Sequence, residues 1–288
     1  MTISAATRAS RLARWQTNHV RELVRSAGGP DVEPLLVSTA GDRDKQTPLH
    51  ELGGKGIFVK EVQAAVLDGR ADIAVHSAKD LPALTPEGLV ICAVPARADH
   101  RDCLIGSTLA GLPEGATVGT GSVRRQVQIA ALRPDVDLVE IRGNIDTRLG
   151  RVGELDAIVL AAAALDRLEL SPDVVERLDI DTMLPQVGQG TLAIECRADD
   201  HETLSALAMI DDPDAHRILD AERAFLVELG GDCDLPAGAF ARLLDNDQIE
   251  VRAMLSNGDD VMLTESDVGT DGEAIGRELA KELRARLG

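Results

Sequence analysis

The chain has 288 residues, with 30 Lys and Arg against 49 Asp and Glu, a formal net charge of −19, and no tyrosine. That length accommodates two or three domains with real cores, and the acidic balance excludes nucleic acid and anionic membranes as electrostatic partners. Four cysteines stand apart with no CxxC pair, which argues against a disulfide framework or a structural zinc and fits a reducing compartment.

The longest apolar run, around residues 157–165, is about half of what a membrane span needs. No basic-plus-apolar leader opens the sequence, so a soluble cytoplasmic protein is expected. Residues 199–288 hold 22 acidic and 8 basic side chains, and only five of the thirty basic residues are Lys. This acidic, Lys-poor surface reads as an adaptation to high salt.

Strand-like and helix-like segments alternate through about residue 195, which predicts a parallel α/β architecture. A strand near residues 3–7 leads into a helix from Ser10, with Leu12, Trp15, His19 or Val20, and Leu23 at helical spacing. A strand at 32–38 is followed by a long polar loop over 39–55, a length that is usually functional or mobile. A helix over 58–67 and strands over 72–75 and 89–94 come next, and Pro95–Asp102 reads as a crossing between domains. The second unit is expected to hold a strand at 117–119, a helix from Ser122, a strand at 138–141, a helix from Asn144 and a strand at 157–160. A strand over 191–195 returns to the first. From about Pro213 the pattern changes to a helix (215–229), strands at 238–244, 248–255 and 260–266, and a final helix over 273–287. Strands grouped between helices predict a small α+β domain.

Several arginines oppose local preference. Ser122 is a good N-cap for the helix that follows it, and Arg124 and Arg125 fall in that helix's first turn, where cations oppose the helix macrodipole. Arg142 precedes the N-cap Asn144, Arg148 lies a turn into that helix, and Arg8 precedes the Ser10 cap. Basic groups at three helix starts make sense where anions bind through backbone N–H groups and guanidinium forks. The alternative for any one of them is an ion pair with a nearby acid such as Asp146 or Glu140.

Other motifs carry less. GGKG at 53–56 lacks the spacing of a phosphate-binding loop, and no GxGxxG follows a strand. His100-Arg101-Asp102 echoes a kinase catalytic loop without its Asn or glycine loop. No HExxH or Cys/His cluster points to a metal.

The segments Thr7-Arg8-Ala9-Ser10, GGKGIFVKE (53–61), DIAVHSAKDLP (72–82), VGTGSVRRQ (118–126), RGNIDTRL (142–149), LPQVGQG (184–190) and GGDCDLP (230–236) occur in this order. Together they resemble the hydroxymethylbilane synthase (porphobilinogen deaminase) family, from about residue 3 to the end of the chain. The resemblance implies two α/β lobes like type II periplasmic binding proteins around a cleft, plus a small α+β C-terminal domain. The implied boundaries are 1–95 with 191–209, then 96–190, then 210–288. It implies a transferase that condenses four porphobilinogen molecules head to tail, with loss of ammonia, onto a covalent dipyrromethane primer. Hydrolysis then releases the linear tetrapyrrole.

By the same resemblance Asp80 is the catalytic aspartate, needed where positive charge develops beside a pyrrole N–H. Arg8, Lys79, Ser122, Arg124, Arg125, Arg142 and Arg148 match the groups that bind substrate and cofactor carboxylates. Gln16, Ser77 and Gln189 are secondary contacts, and Phe58 either stacks on a pyrrole face or belongs to the core. Cys233 is the thioether anchor of the dipyrromethane, while Cys92, Cys103 and Cys196 are expected in the core.

The chain departs from the family twice. Asp232 and Asp234 flank Cys233 and disfavour the thiolate that attacks, and Gly121 stands where a hydroxyl residue is common. The partners implied are porphobilinogen and the growing oligopyrrole, on a monomer with no metal, nucleic acid or membrane. A rival reading is a non-catalytic, two-lobed binding protein for a small polycarboxylate, which needs neither Asp80 beside Lys79 nor Cys233 in its glycine turn.

Overall fold

The computed structural model describes residues 2–39, 59–230, 236–258 and 261–288. The chain forms two compact units, residues 1–98 with 191–217 and residues 99–190 with 218–288. In the first, β1 (Thr2–Thr7) is followed by α1 (Arg11–Ser26), β2 (Asp31–Leu36), α2 (Lys60–Leu67), β3 (Ile73–Ser77) and β4 (Leu89–Ala93). Ser10 caps α1 through a hydrogen bond from Ala13 N, as its position predicts.

The second unit opens with β5 (Asp102–Ile105), β6 (Thr117–Gly119), α3 (Val123–Leu132) and β7 (Asp137–Val139). There follow α4 (Ile145–Leu149), β8 (Ala157–Ala161), α5 (Ala162–Arg167) and β9 (Val175–Leu178). The chain returns to the first unit with β10 (Leu192–Arg197) and α6 (His201–Leu207), and α7 (Pro213–Glu228) spans the last boundary. It ends with β11 (Ala237–Leu243), β12 (Ile249–Ser256), β13 (Met262–Gly269) and α8 (Gly272–Leu287).

The sheet orders are β2-β1-β3-β10-β4 and β7-β6-β8-β5-β9, one plan used twice. They correct the all-parallel expectation. β10 runs antiparallel to β3 and β4, and β5 runs antiparallel to β8 and β9. Each is the first strand after the chain changes unit, so it enters its sheet from the opposite end. Two α/β lobes and the α+β segment are present as expected. That α+β segment falls within the same compact unit as residues 99–190.

Alternation along β1 divides the first core. Ile3 and Ala5 face α1, packing with Val20, Val24, Ile73 and Ile194, whereas Ala6 faces α2 with Val62, Val66 and Ala74. In the second unit Leu104, Val118 and Val159 pack with Ile129 of α3, and Cys103, Ile105 and Ile158 turn to the other face. The antiparallel sheet β11-β12-β13 carries Phe240 and Met254, which pack on Leu184.

Candidate active site

In the first unit β3 ends in a 3-10 turn, Ala78–Asp80. Ala78 N donates to Thr191 O (3.0 Å) and Leu81 N to Ala78 O (3.2 Å), which closes the turn. Ala78 and Leu81 are buried on either side of it, while Lys79 is half-buried and Asp80 exposed. Two apolar anchors thus hold the Asp80 side chain at the surface, next to Lys79 in sequence. Gln16, buried on α1, donates from Nε2 to Ser77 Oγ at 2.6 Å, so two predicted contacts meet at the base of this turn.

His76 belongs to the interior instead. Its Nε2 lies 3.1 Å from Glu195 Oε2, and Gln63 Nε2 donates to both oxygens of the same buried carboxylate. Arg8 is half-buried just beyond β1. Phe58 lies outside the described residues, as does most of the loop over 39–55.

In the second unit Arg124 and Arg125 do occupy the first turn of α3, but neither presents an open fork. Both turn onto Asp102 at the start of β5. Arg124 Nη2 donates to Asp102 Oδ2 (2.7 Å), and Arg125 donates to Oδ1 from Nε (3.0 Å) and Nη2 (2.7 Å). Gln189 Nε2 adds a bond to Oδ1 (2.9 Å) and one to His100 O (2.8 Å). Backbone carbonyls hold the far sides, Leu184 O accepting from Arg124 Nη1 and Val159 O from Arg125 Nη1. Exposure falls to 4% for Arg124, 5% for Arg125 and 0% for Asp102.

Burial alone raises the carboxyl pKa of Asp102, but the two guanidiniums and the Gln189 bond outweigh it and hold the group well below the usual range. The anion that two cations at a helix start call for is therefore partly internal. Arg124 Nε is the exception. It is buried and finds no acceptor among the described residues, so one N–H of the cluster is unspent.

Arg142 and Arg148 have partners close in sequence. Arg142 Nε pairs with Glu140 Oε1 at 2.8 Å, the local ion pair held open above. Arg148 Nε donates to Gly143 O at 2.9 Å. Asn144 caps α4 by accepting from Thr147 N, whereas Ser122 sits at the N-cap of α3 without a side-chain cap bond. That last point corrects its expected capping role.

Gly121 has a steric reason. A Cβ there would stand 2.6 Å from Ile141 O, so the hydroxyl residue common in the family does not fit this backbone.

Cys233 lies outside the described residues, but both its flanks are defined. Gly230 ends α7 with φ +85°, a left-handed conformation that suits glycine. Gly238, in β11, passes so close to the arginine site that a Cβ would meet Pro185 O at 2.7 Å and Arg124 Cδ at 3.1 Å. The strand that follows the segment holding Cys233 in sequence thus begins against Arg124. The remaining thiols lie in or beside the core. Cys103 and Cys196 are fully buried, and burial pushes the Cys103 thiol up to about 11. Cys92 is half-buried, donates to Ile194 O, and is raised by its contact with Cys196 and by burial. Among the described residues no cluster of His, Cys, Asp or Glu could hold a metal, and no helix is long and apolar enough to cross a membrane.

These residues fit a polycarboxylate cofactor: a buried N–H without an acceptor among the described residues, two guanidiniums at one helix start, and a glycine where β11 passes Arg124. Asp102 and Gly238 were not identified from sequence. The only sign of Asp102 was the His100-Arg101-Asp102 triplet, set aside as a kinase echo.

The family model for porphobilinogen deaminase, dipyromethane cofactor binding domain, matches residues 3–205, and that for the porphobilinogen deaminase C-terminal domain matches residues 217–285. The chain is 47% identical over 290 aligned positions to the porphobilinogen deaminase of Roseiflexus sp. (strain RS-1), covering 98% of this chain and 95% of that protein. It is 45% identical to that of Brevibacillus brevis, covering 97% and 93%. Among solved structures it is similar to an ABC transporter periplasmic substrate-binding protein from Coxiella burnetii at 13% identity and a TM-score of 0.45, over 73% of this chain and 92% of that one. The sequence matches support the enzyme over the non-catalytic binding protein. The chain belongs to the porphobilinogen deaminase family, transferases that build the linear tetrapyrrole hydroxymethylbilane from four porphobilinogen molecules on a covalently bound dipyrromethane.

Proposed function

We propose that Asp80 is the catalytic group of this reaction. Arg8, Lys79, Ser122, Arg124, Arg125, Arg142 and Arg148 hold the acetate and propionate groups of substrate and cofactor. Gln16, Phe58, Ser77 and Gln189 are secondary contacts, and Cys233 is the anchor. Loss of ammonia from the aminomethyl group of porphobilinogen leaves positive charge shared with the pyrrole nitrogen. A fixed carboxylate at that nitrogen lowers the barrier, because it is oriented before the charge appears. The aminomethyl group departs as ammonia from its ammonium form, and the carboxylate accepts the proton that the attacking ring's α-carbon loses at the new junction. Lys79 and the arginines orient each unit through its carboxylates, so reaction occurs between positioned groups. When bound, the dipyrromethane supplies the pyrrole α-carbon from which the chain grows.

One observation carries this reading: an exposed Asp80 held on a turn pinned by buried Ala78 and Leu81, with Lys79 adjacent. Asp80→Asn keeps the shape and removes the charge. Its circular dichroism and its cofactor content should match the parent, while turnover of porphobilinogen falls by about 100-fold or more. Turnover within a few-fold of the parent would remove Asp80 from the role.

The protein is further proposed to be a salt-adapted, cytoplasmic monomer whose residues 210–288 act as the cofactor-bearing domain. The charge of −19 and the scarcity of Lys support the salt adaptation.

A further inference from the structure

We propose that Asp102 is a positioning residue for cofactor and substrate carboxylates, an internal counter-anion that aims the guanidiniums of Arg124 and Arg125. The inference rests on the reading that these arginines bind carboxylates. Three observations carry it. Asp102 is fully buried and accepts from both guanidiniums and from Gln189, so its oxygens serve this cluster and not the solvent.

Second, two buried guanidiniums in the first turn of α3 are an unfavourable pair, opposed by each other and by the helix dipole. Burial already lowers the pKa of Arg124 from its ordinary value, and Asp102 opposes that shift. One internal negative charge reduces the cluster from two net positive charges to one. Third, every other anchor is a fixed backbone group, Leu184 O for Arg124 and Val159 O for Arg125, with Gln128 bridging Leu184 N and O. What remains uncommitted on Arg124 is Nε, buried and without an acceptor among the described residues. The carboxylate thus selects which N–H is offered to an anion.

An asparagine at 102 cannot reproduce this. Its amide N–H₂ would face a guanidinium donor, and the remaining oxygen carries no charge. The test uses the full chain purified after expression, comparing wild type, Asp102→Asn and Asp102→Glu. Intact mass reads the fraction carrying the two-ring cofactor, and thermal melts and gel filtration read the fold. In folded Asp102→Asn the cofactor-bearing fraction should fall about tenfold or more, as expected for loss of charged hydrogen bonds, and Asp102→Glu should restore part of it. Folded Asp102→Asn with full cofactor content and an unchanged KM would overturn the proposal.

If Asp102→Asn does not fold, Asp102→Glu decides, since it keeps the charge but displaces it by one methylene. Its cofactor-bearing fraction should then fall about threefold or its KM for porphobilinogen rise by as much, and a folded Asp102→Glu with full cofactor content and an unchanged KM would overturn the proposal. A wild-type chain with no mass excess would overturn the parent reading, and this inference with it.

Discussion

Arg124 and Arg125 were conspicuous in the sequence because two cations in a helix's first turn oppose its dipole. Their partner was not, because Asp102 lies 22 residues before Arg124 and meets it only once β5 enters the sheet beside β8. Local pattern reports which charges are out of place, not which distant residue answers them. The pairing has a measurable cost of removal. Asp102→Asn leaves buried guanidiniums without their counter-charge and should destabilise the protein by about 3–5 kcal/mol near neutral pH. The carboxyl pKa is lowered in the folded state, so its contribution is present above the unfolded carboxylate value of about 3.9 and is lost as pH falls through the folded value. Denaturant unfolding should therefore show a constant gap between parent and variant from about pH 5 to 8 that narrows below about pH 4. A gap that widens on acidification would contradict the ion-pair account. Asp80 was legible for a different reason: it sits at a strand end within a contiguous motif.

Elements with clear periodicity were legible to within a few residues, among them α1, β1, β8, α7 and the three strands of the last sheet. β5 and β9 were not, because each has four residues, too few for alternation to stand out. Strand direction was also hidden, since a buried strand reads alike in parallel and antiparallel pairings. The glycines divide in the same way. Gly230 could be anticipated at a helix end, but the crowding at Gly238 depends on Pro185 and Arg124, both distant in sequence. Gly238→Ala would force β11 away from these groups at a cost of about 1–3 kcal/mol. It should lower the melting temperature and reduce cofactor content together. An alanine variant with both values unchanged would show that β11 has room there.

At the level of the whole molecule, two units of one sheet plan, each completed by an antiparallel strand from a chain crossing, were legible as a two-lobed α/β design but not as mixed sheets. The charge of −19 makes self-repulsion a global term, which salt screens over a Debye length of about 10 Å at 0.1 M and about 3 Å at 1 M. If the surface is adapted to high salt, the melting temperature should climb as KCl is raised from 0.1 M to the molar range. A flat or falling trend would remove that adaptation.

The assignment as a whole meets its most direct test on a balance sensitive to single chains. Electrospray mass spectrometry of freshly purified protein should give a mass above that of the polypeptide by two linked pyrrole rings with their acetate and propionate groups, and Cys233→Ser should give the polypeptide alone. An active preparation whose mass equals that of the bare chain, or an excess that survives in Cys233→Ser, would contradict it.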